Sequence, residues 1–133
     1  MTATDPTGGR LQQPTAAAVR ARLRRLLATR TAGPPPRAVV DDILLVATEL
    51  VTNALRHGGG LTAFDARLDG DTVVLSVSDA SPTPPRTVPR SHPAAPGGFG
   101  WPLVRRLSRH VTVTPTGGGK TIEVVLGTAG QEG

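Results

Sequence analysis

The sequence predicts a single α+β domain built from amphipathic helices and antiparallel hairpins, and three observations predict it. Between Arg37 and His57 the apolar residues Ile43, Leu44, Ala47, Leu50, Val51, Ala54 and Leu55 recur at three- and four-residue steps, the period of a helix with one face in a core. Asp69-Gly70-Asp71 then separates two runs rich in Val, Leu and Thr, a strong hairpin signal. A second hairpin follows near the end, where Gly117-Gly118-Gly119 divides two β-branched segments. At 133 residues the chain is one domain, long enough to bury a core.

Taken in order, residues 1–13 are polar with Gly and Pro and read as a flexible tail, leaving 14–127 as the folded body. Thr15 is placed to cap a first helix in which Val19, Leu23, Leu26 and Leu27 form the apolar stripe. Arg20, Arg22, Arg24, Arg25 and Arg30 surround that stripe, so it reads as a basic amphipathic helix. Gly33 and the prolines Pro34 to Pro36 end it, because a proline disfavours helix in the residue before it. The central helix starts near Arg37 and stops at Gly58 to Gly60. The first hairpin pairs Thr62–Leu68 with Thr72–Ser78 and runs into Asp79. From about residue 80 to 100 the chain is rich in Pro, Ser and Thr, longer than an ordinary ordered connection, and reads as a lid. Pro102 suits the first turn of a third helix, where its missing N–H costs nothing. The last hairpin runs from His110 to Pro115 and from Lys120 to Leu126, and 128–133 form a second tail.

Lys and Arg together number 15 against 10 Asp and Glu, a net charge of +5 that favours anionic ligands without choosing among nucleotides, acidic proteins and nucleic acid. The absence of cysteine excludes disulfides and thiolate metal sites. No apolar run approaches the roughly 20 residues that span a bilayer, and no signal-peptide core is present, so a cytoplasmic protein without membrane attachment is expected. Aromatic residues are too few for base-stacking platforms, and no DNA-binding motif is found, so direct nucleic-acid binding is not expected.

Polar residues interrupt the central helix where packing alone would not put them. Glu49 and Asn53 are an i,i+4 pair on one side of the cylinder, with Asp42 two turns below Glu49 and His57 one turn above Asn53. A carboxylate can take a proton from water or a hydroxyl, and a carboxamide oxygen can complete the shell of a Mg²⁺ that leans on substrate phosphates. Such a pair suggests a metal–nucleotide site, although a solvent-facing polar edge would show the same spacing. Asp79, at the mouth of a strand, can accept a hydrogen bond from an exocyclic amine such as that of adenine, or serve as an ordinary turn residue. Gly97, Gly98 and Gly100 precede a helix N-terminus, a geometry that offers free N–H groups to phosphate. The string GGGKT is not a P-loop, because Thr114 stands at the first required glycine and a strand follows instead of a helix. Gly58, Gly60 and Ala63 match a loose dinucleotide fingerprint but lie between a helix and a strand, the wrong order. The three histidines, His57, His92 and His110, have no metal-binding spacing.

The order of these features resembles the GHKL ATPases, the superfamily that includes gyrase and the histidine kinases. ELVTNALRHG, VSDASP, GGFGWPLV and GGKTIEVVL look more closely like the small ATP-binding proteins related to anti-sigma factor serine kinases of the RsbW and SpoIIAB type. The match covers about Arg20 to Leu126. It implies a two-layer α/β sandwich with helices on one face of a mixed, mostly antiparallel sheet. It implies Glu49 as the residue that activates the attacking hydroxyl or water, Asn53 as the Mg²⁺ ligand and His57 near phosphate. It further implies Asp79 as acceptor of the adenine amine with Thr121 in support, and Gly97, Gly98 and Gly100 as the lid hinge and phosphate cradle. The sequence departs from the pattern in having Ser81-Pro82 in place of glycines after Asp79. Ala95-Pro96 also replaces the basic residue that kinase members carry before the lid glycines, with Arg90 and His92 the nearest substitutes.

Two functions are therefore expected. One is an ATP- and Mg²⁺-dependent serine/threonine kinase that phosphorylates an anti-anti-sigma antagonist. The other is a nucleotide-gated module that sequesters a sigma factor or another acidic partner through the basic first helix with little turnover. Homodimerisation is left open.

Overall fold

The computed structural model describes residues 11–12, 14–57, 59–83 and 100–129. The elements follow as β1 (Leu11–Gln12), α1 (Ala16–Ala28), α2 (Arg37–His57), β2 (Leu61–Asp69), β3 (Thr72–Asp79), α3 (Gly100–Leu107), β4 (His110–Thr116) and β5 (Gly119–Gly127). The segment read as a tail thus contributes a short strand, Leu11 pairing with Phe64 and Gln12 with Ala63. Two residues between polar neighbours carry no periodic signal, and their conformation comes from the free edge of β2. At the other end Thr128, counted with the second tail, is buried and donates its backbone N–H to Asp71 O at 2.8 Å.

The strands form one sheet in the order β1-β2-β3-β5-β4. Every pairing among the described residues is antiparallel, in line with the mostly antiparallel sheet expected, and none is parallel. The crossover through α3 does set β4 parallel to β3, but one position away, and β5 returns between them, antiparallel to both. The two hairpins form as predicted. Asp69 pairs with Thr72 around Gly70 at φ 60°, and Thr116 pairs with Gly119 around Gly118 at φ 120°.

Alternation along the strands decides what lies inside. Val73, Leu75 and Val77 of β3, with Phe64 and Ala66 of β2 and Ile122, Val124 and Leu126 of β5, face the helices and are buried. Onto them α2 lays Ile43, Leu44, Val46, Ala47, Leu50, Val51 and Ala54, and α1 adds Val19, Leu23, Leu26 and Leu27. The Thr15 hydroxyl caps α1 by accepting from Ala18 N at 3.0 Å. At the far end of α2, Gly60 N reaches back to Ala54 O at 3.1 Å with Gly59 at φ 69°, a six-residue closure that stops the helix.

Arg22 departs from the expected basic rim. It lies on the inner face of α1, 1% exposed, and its three guanidinium nitrogens have no hydrogen-bond partner among the described residues. In a 3.6-residue period Arg22 falls between Val19 and Leu26, so the packing that buries those two carries it inward too.

Two contrasts test this packing. Leu50→Ala, at 1% exposure, is expected to cost about 2 to 5 kcal/mol in denaturant unfolding, whereas Leu55→Ala, at 57%, should stay within about 0.5 kcal/mol. A Cβ on Gly119 would collide with the backbone carbonyl oxygen of Asp79, which cannot rotate away. Gly119→Ala should therefore cost more than about 1 kcal/mol, and Gly117→Ala, whose Cβ meets nothing, much less.

Candidate functional site

The polar stripe of α2 survives in the fold because the apolar stripe beside it is fixed against the sheet. Glu49, Asn53 and His57, each one turn apart, line one side of a cleft whose other wall is the start of α3. Leu50, Thr52 and Arg56 of α2 and Gly100, Trp101 and Val104 of α3 complete it. Thr52 and Arg56 were not singled out from the sequence, and Trp101 was noted there only as unusual after the last lid glycine. Trp101 is legible only as the large residue that a helix beginning at Gly100 turns toward α2.

At the centre stands the Glu49 carboxylate. Its Oε1 is fully buried and has no hydrogen-bond partner among the described residues. An unsatisfied charged oxygen beside a carboxamide is costly unless a ligand, ion or water completes it. Gly100 lies directly over it, and a Cβ at that position would overlap Glu49 Oε1. The glycine of the predicted cradle that the structure describes thus owes its identity to close approach to the acid, as a residue with ordinary φ. The free space between the two helices is about 10 Å³, roughly what one water requires. Gly97, Gly98 and residues 84–99 lie outside the described residues, as do Arg90 and His92.

Asp79 also lies on the helix side of the sheet. The backbone joins it to the end of α2, Ala80 N donating to Gly60 O at 3.2 Å. It does not line the α2–α3 cleft. Its carboxylate is buried in an ion pair, with Lys120 Nζ 2.8 Å from Oδ2 and Ser81 N donating to Oδ1 at 3.0 Å. In the sequence Lys120 was read only within the rejected GGGKT string and the last strand, although it shares the inward parity of Ile122, Val124 and Leu126 and pairs with Asp79 across the strands.

Thr121 must be corrected. It points to the opposite face of the sheet, where its hydroxyl and that of Ser78 are 2.8 Å apart, and lines a shallow groove with Ala63, Asp65, Ser76 and Ser78. A strand turns successive side chains to opposite faces, so Thr121 and Lys120 cannot both face α2, and Lys120 holds the inner position. Among the described residues no three of His, Cys, Asp or Glu come together as a metal cluster. A Mg²⁺ at Asn53 would therefore depend on phosphate oxygens and water for most of its shell. No helix among the described residues is long and apolar enough to cross a membrane.

With this geometry in view, the family model of the histidine kinase-like ATPase domain matches residues 11–126. Among solved structures, the RsbU and RsbW domains of a Mycobacterium tuberculosis protein superpose with a TM-score of 0.61 at 20% identity, over 92% of this chain and 34% of that one. The histidine kinase domain of a blue-light activated histidine kinase from Erythrobacter litoralis gives a TM-score of 0.52 at 20% identity, over 83% of this chain and 61% of that one. The chain thus spans less than two thirds of either relative. No curated protein matches it by sequence.

The orphaned acid supplies a prediction of its own. Glu49→Gln replaces a side chain whose buried Oε1 has no partner among the described residues, and should leave the free protein as stable or stabilise it by about 1 kcal/mol in denaturant unfolding. Gly100→Ala displaces only the end of a flexible side chain, so its stability cost should be smaller than that of Gly119→Ala.

Proposed function

Because the chain belongs to the histidine kinase-like ATPase domain family, we propose that it is an ATP-binding regulator whose nucleotide lies between α2 and the lid, its phosphates toward Glu49 and Asn53. The observation that carries this reading is the buried, partnerless Glu49 Oε1 with Asn53 one turn away and Gly100 close above it. A triphosphate is far larger than the present gap, so binding entails withdrawal of the first turn of α3 from Glu49. Asn53 would hold Mg²⁺ through its amide oxygen, and His57, exposed at the rim, stands close enough to the cleft to meet a phosphate. The metal's contribution is to neutralise charge on the phosphates. Asp79 would receive the amine of the base from the sheet side, and Gly97 and Gly98 would hinge the lid.

In the enzymatic form of this reading Glu49 accepts the proton of a serine or threonine hydroxyl on an anti-anti-sigma partner as that oxygen attacks the γ-phosphate. A carboxylate with one oxygen buried in the cleft and without a partner among the described residues is suited to that step. Phosphorylation would then break the complex by adding charge to the interface. The alternative, a nucleotide-gated module that sequesters a sigma factor or another acidic partner with little turnover, draws support from two observations. The cleft is nearly closed, and the acceptor Asp79 is already engaged by Lys120.

Incubation with labelled ATP, Mg²⁺ and candidate antagonist proteins separates the two. Label on an antagonist, abolished in Glu49→Gln, is expected for the kinase; for the module, ATP raises the melting temperature without transfer. In both cases Asn53→Ala should weaken Mg²⁺-dependent ATP binding by roughly tenfold or more, read by calorimetry. No melting shift with millimolar ATP and Mg²⁺ would overturn both.

A further inference from the structure

Lys120 is the only lysine in the sequence; every other basic position is arginine. That lone ammonium is buried against Asp79, the two side chains being 3% and 2% exposed. Nζ lies 2.8 Å from Asp79 Oδ2 and donates to the Ser81 carbonyl at 3.1 Å, while Ser81 N closes on Oδ1. Two of the three ammonium protons are thereby used, and each carboxylate oxygen has one partner. The arrangement is nearly what an aromatic amine would offer the same carboxylate, an N–H donor delivered to an oxygen shielded from water.

The residue type matters. A guanidinium presents a rigid fork that grips both carboxylate oxygens, whereas an ammonium is a point charge on a flexible stem with rotatable donors, able to leave one acceptor and keep another. We propose that Lys120 is the affinity-determining residue of the base site: an internal amine that occupies Asp79 and that an amine-bearing nucleobase must displace. The inference rests on the reading of Asp79 as the base acceptor and goes beyond it. It makes the affinity for adenine nucleotide depend on one side chain, and it places selection for the 6-amino group in the competition with Lys120. A 6-oxo base places an acceptor where adenine places its amine, so at that position it lacks the donor that competes with the ammonium.

Calorimetry with Mg²⁺ and either ADP or inosine diphosphate, on the full chain at fixed salt, tests this. Lys120→Met leaves Oδ2 of Asp79 without its donor, so ADP should bind roughly tenfold or more tighter than to wild type, with little change for inosine diphosphate. Lys120→Arg should bind ADP more weakly than wild type. Wild type itself supplies an independent reading, because its single lysine side chain gives a single ¹⁵N ammonium resonance. That signal should be protected from exchange in the free protein and lose its protection as ADP is added, which decides the matter if Lys120→Met does not fold. ADP binding that is equal in wild type and both variants, or that leaves the ammonium resonance unmoved, would sink the proposal while the nucleotide site stands. Failure of every form to bind ADP at millimolar concentration would remove the site and the proposal with it.

Discussion

The seating of α2 on the inner face of the sheet is the constraint on which the rest depends. Its apolar stripe meets Phe64, Leu75, Val77 and Ile122 along a dry surface, and burial of that stripe leaves one rotational setting for the helix. Turning α2 by one residue would move Leu50 outward to the place of Glu49 and bury Thr52 in that of Val51. Glu49, Asn53 and His57 therefore owe their direction to hydrophobic residues that take no part in any chemistry. The same seating brings the end of α2 against Ala80, and so fixes where β3 delivers Asp79.

Against this apolar background charged groups are accommodated in three different ways. Asp79 and Lys120 neutralise each other, with Ser81 taking up one further valence on each. Glu49 has a buried oxygen with no partner among the described residues, and it faces the start of a helix that carries glycine at the contact. Arg22 is buried on α1 without a described partner, and nothing in the geometry of the cleft accounts for it. A buried pair is tolerated, whereas removing one member exposes the full desolvation cost of the other. That asymmetry makes the Asp79–Lys120 pair costly to break from either side.

Much of the architecture was legible from spacing. The helical period over Arg37–His57, the cap at Thr15, the glycine stops and both hairpins recur in the structure close to their expected bounds. These features depend on neighbours a few residues apart, so local chemistry decides them. The strand at Leu11–Gln12 was not legible, because its only cause is an open edge contributed by residues some fifty positions later. Arg22 was read as rim when it is core, since charge argues for water and only the fit of α1 to α2 and β2 says otherwise. Thr121 was read as a ligand contact from its place in a motif, and strand parity sends it to the other face.

What the sequence by itself determined is therefore the inventory: which segments are helix or strand, where they stop, and that an acid and an amide share one side of the central helix. Tertiary structure alone decided that β5 lies between β3 and β4, and hence that Lys120 and not Thr121 meets Asp79 across the pairing. It also decided that Gly100 lies over Glu49. The physical reason is that helix period and turn chemistry are written within a few neighbouring residues, whereas an ion pair between positions 79 and 120 exists only after two strands have chosen each other and one register out of several.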